Sequence, residues 1–279
     1  MKTPPAILGK IAKSALKRVE KAKDALSYEQ IKSKFLATNH TNHHEQKMTF
    51  HNALGSAGLS FICEVKKASP SKGIISEDFP WMEIAKEYEE AGAAAISVLT
   101  EPEFFMGSEQ YLREISAAVK IPTLRKDFIV DPYQIYEAKL LGADAALLIC
   151  ALLEQRTLEE FLAAAGEIDL DCLVEIHSED EAKEAIDAGA KIIGINNRDL
   201  STFNVDKGLT LRLINRIPGG ILTVAESGIE TAADIRGIKD SGVNAVLIGE
   251  SLMRSADRKR LLREMMAISI EETKLPVRK

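Results

Sequence analysis

Four stretches of the chain repeat one pattern: the tail of an amphipathic helix, a glycine, and then a short run of apolar residues. They read EEAGAAAISVL around Gly92, KLLGADAALLI around Gly142, AIDAGAKIIGI around Gly189 and IKDSGVNAVLI around Gly242. A glycine just past a helix supplies the left-handed turn that a Cβ would penalise. A fully apolar run straight after it reads as a strand buried on both faces. The glycines recur at intervals of roughly fifty residues, too long for one strand–helix unit and right for two.

The intervening strands fall at ICEVKK, PTLRKDF, CLVEIH and LTVAES. Between the apolar runs lie MEIAKEYEEAG, EQYLREISAAV, YQIYEAKLLG and DEAKEAIDAG, with apolar residues at three- and four-residue spacing and charges between them. Ser108 and the Asp131-Pro132 pair are helix-start signals. Strands alternating with helices predict an α/β fold, a (β/α)8 TIM barrel. An open doubly wound sheet is the competitor, and the regular double-unit repeat favours closure.

Residues 1–50 stand outside the repeat and form a predicted N-terminal helical extension to a barrel over 51–279, the two making one structural domain. Pro5 to Leu36 reads as one or two basic amphipathic helices, and ATNHTNHHEQ as a polar linker. His40, His43, His44 and His51 raise the question of a metal. They lack a Cys or carboxylate partner at ligand spacing, so no metal is expected.

Composition narrows the class. Apolar residues make up 46% and charged residues 28%, ordinary for a globular chain with a large core. The net charge of −6 disfavours a nucleic-acid partner. Cys63, Cys150 and Cys172 lie far apart inside apolar runs, which reads as free thiols in a reducing cytoplasm. Lysines recur from Lys2 to Lys23 where a signal peptide would need an apolar run, and no stretch is long enough to span a bilayer. The expectation is a soluble cytoplasmic protein, a monomer or weak homo-oligomer, without a second catalytic domain.

In such a barrel the chemistry sits at the C-terminal ends of strands and in the loops that follow. Ile62, Glu64 and Lys66 share a face of the first strand by alternation. The third strand ends with Lys126, the fifth with Glu175, and the sixth delivers Asn196. Two lysines, two glutamates and an amide thus converge at one end of the barrel. Buried charges are costly unless paired or put to use. At the last two strands, AESGI places Ser227 and Gly228, and LIGES places Gly249, Glu250 and Ser251. Loops at these positions form phosphate cradles from backbone N–H groups, and Arg198 past the sixth strand adds a cation. A phosphorylated small molecule is the expected ligand.

The segments CEVKKASPSKG (Cys63 to Gly73), LRKDFIVDPYQIYEA (Leu124 to Ala138), LVEIHSEDE, IGINNRDL, AESGI and LIGESLM resemble the successive signatures of indole-3-glycerol phosphate synthase. The similarity runs from about Leu59 to Met253, and ExKxxSPSKG is its most specific element. The resemblance implies closure of 1-(2-carboxyphenylamino)-1-deoxyribulose 5-phosphate to an indole, with loss of carbon dioxide and water. It implies Lys126 as the leading general acid, Lys66 beside the substrate carboxylate and sharing that duty, Glu175 as acid–base partner in dehydration, and Glu64 organising the lysines. Asn196 and Ser227 would hold substrate hydroxyls, and Ser69 the anthranilate carboxylate. Arg198, Gly228, Gly249 and the backbone N–H of Glu250 would hold the phosphate. No cofactor is implied, because protonation activates the carbonyl and rearomatisation drives decarboxylation. Glu250 is unexpected beside a phosphate, and its carboxylate must point away.

Phe105 with Ile129 is the candidate slot for the aromatic ring; loop packing is the other reading of Phe104 and Phe105. The segment Ser69 to Ile75 is a candidate lid. His177 and Cys150, both at strand ends, read as packing. Two alternatives have different signatures. An isomerase on a phosphate-binding barrel would want a Cys and an Asp at strand ends. A non-catalytic phosphate-ligand sensor would need only the phosphate loops.

Overall fold

The computed structural model describes residues 2, 6–38 and 47–270. Eight parallel strands close into a barrel: β1 Ser60–Val65, β2 Ala95–Leu99, β3 Thr123–Lys126, β4 Ala145–Ile149, β5 Asp171–Ile176, β6 Ile192–Asn196, β7 Leu222–Glu226 and β8 Ala245–Ile248. Each pairs with the next, and β1 closes on β8 with Ser60 opposite Ala245 and Cys63 opposite Ile248. The four glycines that announced the repeat all take the left-handed conformation, at φ 104°, 88°, 85° and 90°. Both faces of the strands are buried, one in the barrel and one under helices, which is why their sequences are almost uniformly apolar.

Ahead of the barrel lie α1 Ala6–Ala25, α2 Tyr28–Thr38 and α3 Phe50–Leu54. The apolar positions Leu8, Ile11, Ala15 and Val19 form the buried stripe of α1. Its polar side reaches the loops at the C-terminal end of the barrel: Arg18 makes two bonds to Asp127, at 2.9 and 3.2 Å, and Lys23 lies 2.7 Å from Asp131. α2 packs through Tyr28 and Phe35 edge-on to Tyr136. The short α3 lies at the opposite end of the barrel. Thr49 caps it, and the His51 backbone N–H donates to Asp171 at the start of β5. With its Thr49 cap, α3 straddles residue 50, and the helices ahead of β1 touch both ends of the barrel.

The helices between strands are α4 Trp81–Ala91, α5 Glu109–Ala118, α6 Tyr133–Leu140, α7 Gln155–Gly166, α8 Glu179–Asp187, α9 Leu209–Leu213, α10 Ala232–Ile238, α11 Glu250–Arg254 and α12 Arg258–Ile270. Ser108 caps α5 as its position predicted, and Asp131 accepts from the backbone N–H of Tyr133 at the start of α6. A small hairpin, Ala68–Ser69 paired with Gly73–Ile74, follows β1 within the candidate lid.

Among the described residues no helix is long and apolar enough to cross a membrane. No group of three or more His, Cys, Asp or Glu there is arranged to hold a metal ion. His40, His43 and His44 lie outside the described residues, while His51 sits on α3, far from the barrel mouth. Cys63, Cys150 and Cys172 are free and buried, and burial raises all three thiols above the ordinary value.

Candidate active site

One cavity opens at the C-terminal end of the barrel, floored by Leu99, Leu147, Ile149 and Leu247. Strand alternation decides what enters it. Inward positions carry small or apolar residues low in the barrel and polar ones at the rim. Glu64, Lys126, Glu175 and Asn196 are the rim residues that alternation selects, and all four line the cavity. Lys66, Ser69, Phe105, Arg198, Ser227, Gly228, Gly249 and Glu250 line it as well.

Ile129 does not. It is fully buried in the core behind the wall, and Phe128 faces the cavity instead. β3 stops at Lys126, so the alternation that places Lys126 cannot be carried on to 128 and 129. Phe128 packs on Phe105 with ring centroids 5.8 Å apart and ring planes tilted by 37°, making an apolar wall. The loop bearing Phe105 is fixed from below. Buried Glu101 accepts the backbone N–H groups of Glu103, Phe104 and Phe105 at 3.1, 2.7 and 3.1 Å.

At the centre, Lys126 Nζ lies 3.0 Å from Oε2 of Glu175 and 2.6 Å from Oε2 of Glu226. Glu226 is the rim carboxylate that sequence reasoning passed over. It ends β7, in step with inward Val224, and the same alternation that found Glu175 would have found it.

Burial works to lower the Lys126 pKa, but Glu226, Glu175 and Glu64 outweigh it, and the ammonium holds its proton more tightly than a free lysine. The two carboxylates are pushed apart. Burial raises Glu226, helped by the charge of Glu175 and opposed by Lys126. For Glu175 burial also acts upward, but Lys126, His177 and hydrogen bonds from Lys126 and Asn196 prevail and lower it. Two acids in one site with opposed shifts are the arrangement from which an acid and a base are drawn.

The other lysine, Lys66, ion-pairs with Glu64 just past β1. β1 neighbours β8, and Gly249 lies against this pair: a Cβ there would come within 3.1 Å of Lys66 Nζ. Ser227 has φ 63° and Gly228 φ 77°, two left-handed residues in a row that bend the backbone around the cavity rim. Ser227 Oγ donates to Asn196 Oδ1 at 2.8 Å, which also accepts the Arg198 backbone N–H at 3.0 Å. Buried Asn197, absent from the sequence reading, ties the ends of β6 and β7 together. Its side chain donates to Ser227 O, and its backbone N–H to Glu226 O.

Glu250 begins α11 at the cavity rim, with its side chain engaged by cations. Its Oε1 lies 3.2 Å from Arg254 Nε and 3.5 Å from Lys72 Nζ. An anion at Gly228, Gly249 and the 250 backbone would therefore meet a carboxylate already engaged by two cations.

The family profile described as indole-3-glycerol phosphate synthase matches residues 8–265. A protein of that name from Ruminiclostridium cellulolyticum is 55% identical over 251 residues, covering 90% of this chain and 95% of its own length. One from Endomicrobium trichonymphae is 54% identical over 259 residues, covering 93% and 99%. Among solved structures, 3-hexulose-6-phosphate synthase from Salmonella typhimurium superposes with a TM-score of 0.62 at 13% identity, over 76% of this chain and 99% of that one. That likeness is one of fold alone.

Proposed function

This chain belongs to the indole-3-glycerol phosphate synthase family, and from that membership we propose how its own residues divide the work. The reaction joins the anthranilate ring carbon to the ketone of 1-(2-carboxyphenylamino)-1-deoxyribulose 5-phosphate. Carbon dioxide leaves as the ring rearomatises, and water is then lost to give indole-3-glycerol phosphate.

The observation that carries the assignment is Lys126, held between Glu175 and Glu226 at the centre of the cavity. As the aromatic carbon attacks, the ketone oxygen gains negative charge, and an ammonium aimed at it supplies the proton. Lys126 keeps that proton at working pH because three carboxylates surround it. Lys66 lies beside the substrate carboxylate and shares the acid duty, while Glu64 fixes its position. For dehydration the new hydroxyl must leave as water while a neighbouring carbon gives up a proton. Glu175, held ionised, takes that proton, Glu226, protonated more readily, restores the Lys126 ammonium, and that ammonium protonates the departing hydroxyl.

The substrate is anchored at both ends. Arg198, Gly228, Gly249 and the Glu250 backbone receive the phosphate, and Ser69 the anthranilate carboxylate. Asn196 and Ser227 hold the hydroxyls. The Phe105–Phe128 wall takes the aromatic ring in the slot expected of Phe105 and Ile129. Anchoring both ends presses ring and ketone together, so that remote binding energy favours the reactive conformer. The buried free thiols and the net charge of −6 support a cytoplasmic enzyme with no nucleic-acid partner.

The deciding experiment follows indole fluorescence when purified protein meets the substrate without added cofactor. The wild type should produce the signal, and Lys126→Ala should lose turnover by roughly a thousandfold or more while inorganic phosphate still competes for the site. Turnover within tenfold of wild type in that variant would remove Lys126 from the acid role.

A further inference from the structure

His177 stands just beyond β5, two residues past Glu175. Its Nδ1 lies 3.3 Å from Oε2 of Glu181, in the first turn of α8. That same oxygen accepts the His177 backbone N–H at 2.6 Å, so this end of the ring is fixed. At the other end Nε2 lies 3.5 Å from Oε1 of Glu175. Nε2 is buried and makes no hydrogen bond, so Glu175 is its neighbour by charge and not by a formed bond. A ring nitrogen shut out of water beside a carboxylate, with a hydrogen bond to neither, is costly unless it bears a proton.

We infer that His177 is a positioning residue, an imidazolium that bridges Glu181 and Glu175 and anchors Glu175 by the oxygen that Lys126 does not use. The inference rests on Glu175 acting as the acid–base partner described above. Its logic lies in the change that catalysis imposes. When Lys126 turns to the substrate ketone, Glu175 Oε2 loses its cation. A carboxylate held by that oxygen alone would swing, whereas one held through Oε1 stays aimed at the cavity.

The groups that face His177 suit a charged ring. They are Glu175 from its own strand, Glu181 from α8 and Glu226 from β7, with Lys126 of β3 reached only beyond Glu175. Burial opposes the charge, but the bond to Glu181 and the three carboxylates outweigh it and raise the ring's pKa. In return the ring adds to Lys126 in keeping Glu175 ionised.

Two replacements separate position from charge. Asparagine can imitate Nδ1 and keep Glu181 but cannot reach Glu175. Glutamine can place an amide near Nε2 but carries no charge. In the full-length enzyme, His177→Asn should lower kcat roughly tenfold with KM little changed. It should also move the acid limb of the kcat–pH profile up by about one unit, as Glu175 becomes easier to protonate. His177→Gln should recover most of kcat yet leave the limb displaced. A limb within about 0.2 unit of wild type in either variant would overturn the inference, since a merely structural histidine alters stability and not the profile.

An NMR titration of the ring in wild type and Glu175→Gln needs no His177 variant to fold. The midpoint should lie above the ordinary value of about 6.5 and fall when Glu175 loses its charge, because the coupling is mutual. A midpoint at or below 6.5, or one unmoved by Glu175→Gln, would overturn it too. The acid–base reading fails separately, and only if Glu175→Gln turns over at the wild-type rate.

Discussion

Gly194 has no side chain where Glu226 needs the room: a Cβ on Gly194 would lie within 3.0 Å of Oε1 of the glutamate. Gly194 sits on β6 opposite Glu175 in the β5 register and opposite Val224 on β7. The missing side chain opens the space into which the Glu226 carboxylate folds to reach Lys126. Gly194→Ala should push that carboxylate aside and lower kcat by about a hundredfold, the usual cost of about 1 Å of misplacement. Steady-state kinetics check it, with KM expected to move far less than kcat. A kcat within threefold of wild type would mean that Glu226 is not needed where it lies.

A second prediction concerns pH. Burial raises Glu226 to about 7, so this carboxyl changes charge near neutrality, whereas Glu175 stays ionised well below that. Glu226→Gln should therefore remove a neutral-range inflection from the kcat/KM–pH profile. The same shift has a stability sign. Between its ordinary value and 7 the folded state binds a proton that the unfolded chain has lost, so the group's contribution to stability falls as pH rises through this window. Relative to wild type, Glu226→Gln should gain in Tm on going from pH 5 to pH 8. Parallel melting curves at the two pH values would refute the shift.

Much of this site was readable by alternation alone, and the exceptions share a cause. Glu64, Lys126, Glu175 and Asn196 stand at rim positions that a period of two selects within an established strand. The same period placed Lys66 beside Glu64 although the strand ends at Val65, whereas Ser69 came from the family resemblance, since the chain there turns into the hairpin. Ile129 and Phe128 exchange places for the same reason: beyond Lys126 the path is set by Asp127, which is held by Arg18 and Arg125 and bonds the Phe128 backbone N–H. No local pattern announces a tether from a helix more than a hundred residues earlier in the chain. α3 escaped notice because it is five residues long, too short for a helical period to show.

The link between Arg18 and Asp127 gives a third prediction. The Asp127 carboxylate is fully buried and held by Arg125, Arg18 and Thr100. Burial raises its pKa, but the two guanidinium groups and the hydrogen bonds lower it overall. Arg18→Ala leaves the charge with one cation fewer and should cost about 2–4 kcal/mol, somewhat less than the about 3–5 kcal/mol for breaking a fully buried pair because Arg18 is partly exposed. The loss should appear in chemical denaturation at pH 7 and shrink as the pH falls and Asp127 is protonated, since a lowered carboxyl contributes its stability only above its unfolded value. Because Asp127 adjoins Lys126 in sequence, a fall in activity with an intact fold should accompany it. A loss below about 0.5 kcal/mol would place the anchoring of α1 in its apolar stripe instead.

Glu250 supplies the fourth. A carboxylate at the first residue of α11 would repel a bound phosphate if it swung toward the rim, yet its oxygen is held back by Arg254 and Lys72. Lys72 belongs to the hairpin after β1 and Arg254 to the far end of α11, so the restraint comes from two independent elements. Both cations are substantially exposed, and each pair should add no more than about 1 kcal/mol to stability. Their effect should instead be felt in binding. Removing either cation alone leaves the other in place, whereas the double variant Lys72→Ala/Arg254→Ala frees the carboxylate and should raise KM roughly fivefold at low salt. Adding Glu250→Ser to that background should return KM toward wild type, because the repulsive charge is then gone. A KM that stays high in the triple variant would mean that the two cations bind the phosphate themselves and do not act by holding Glu250 away.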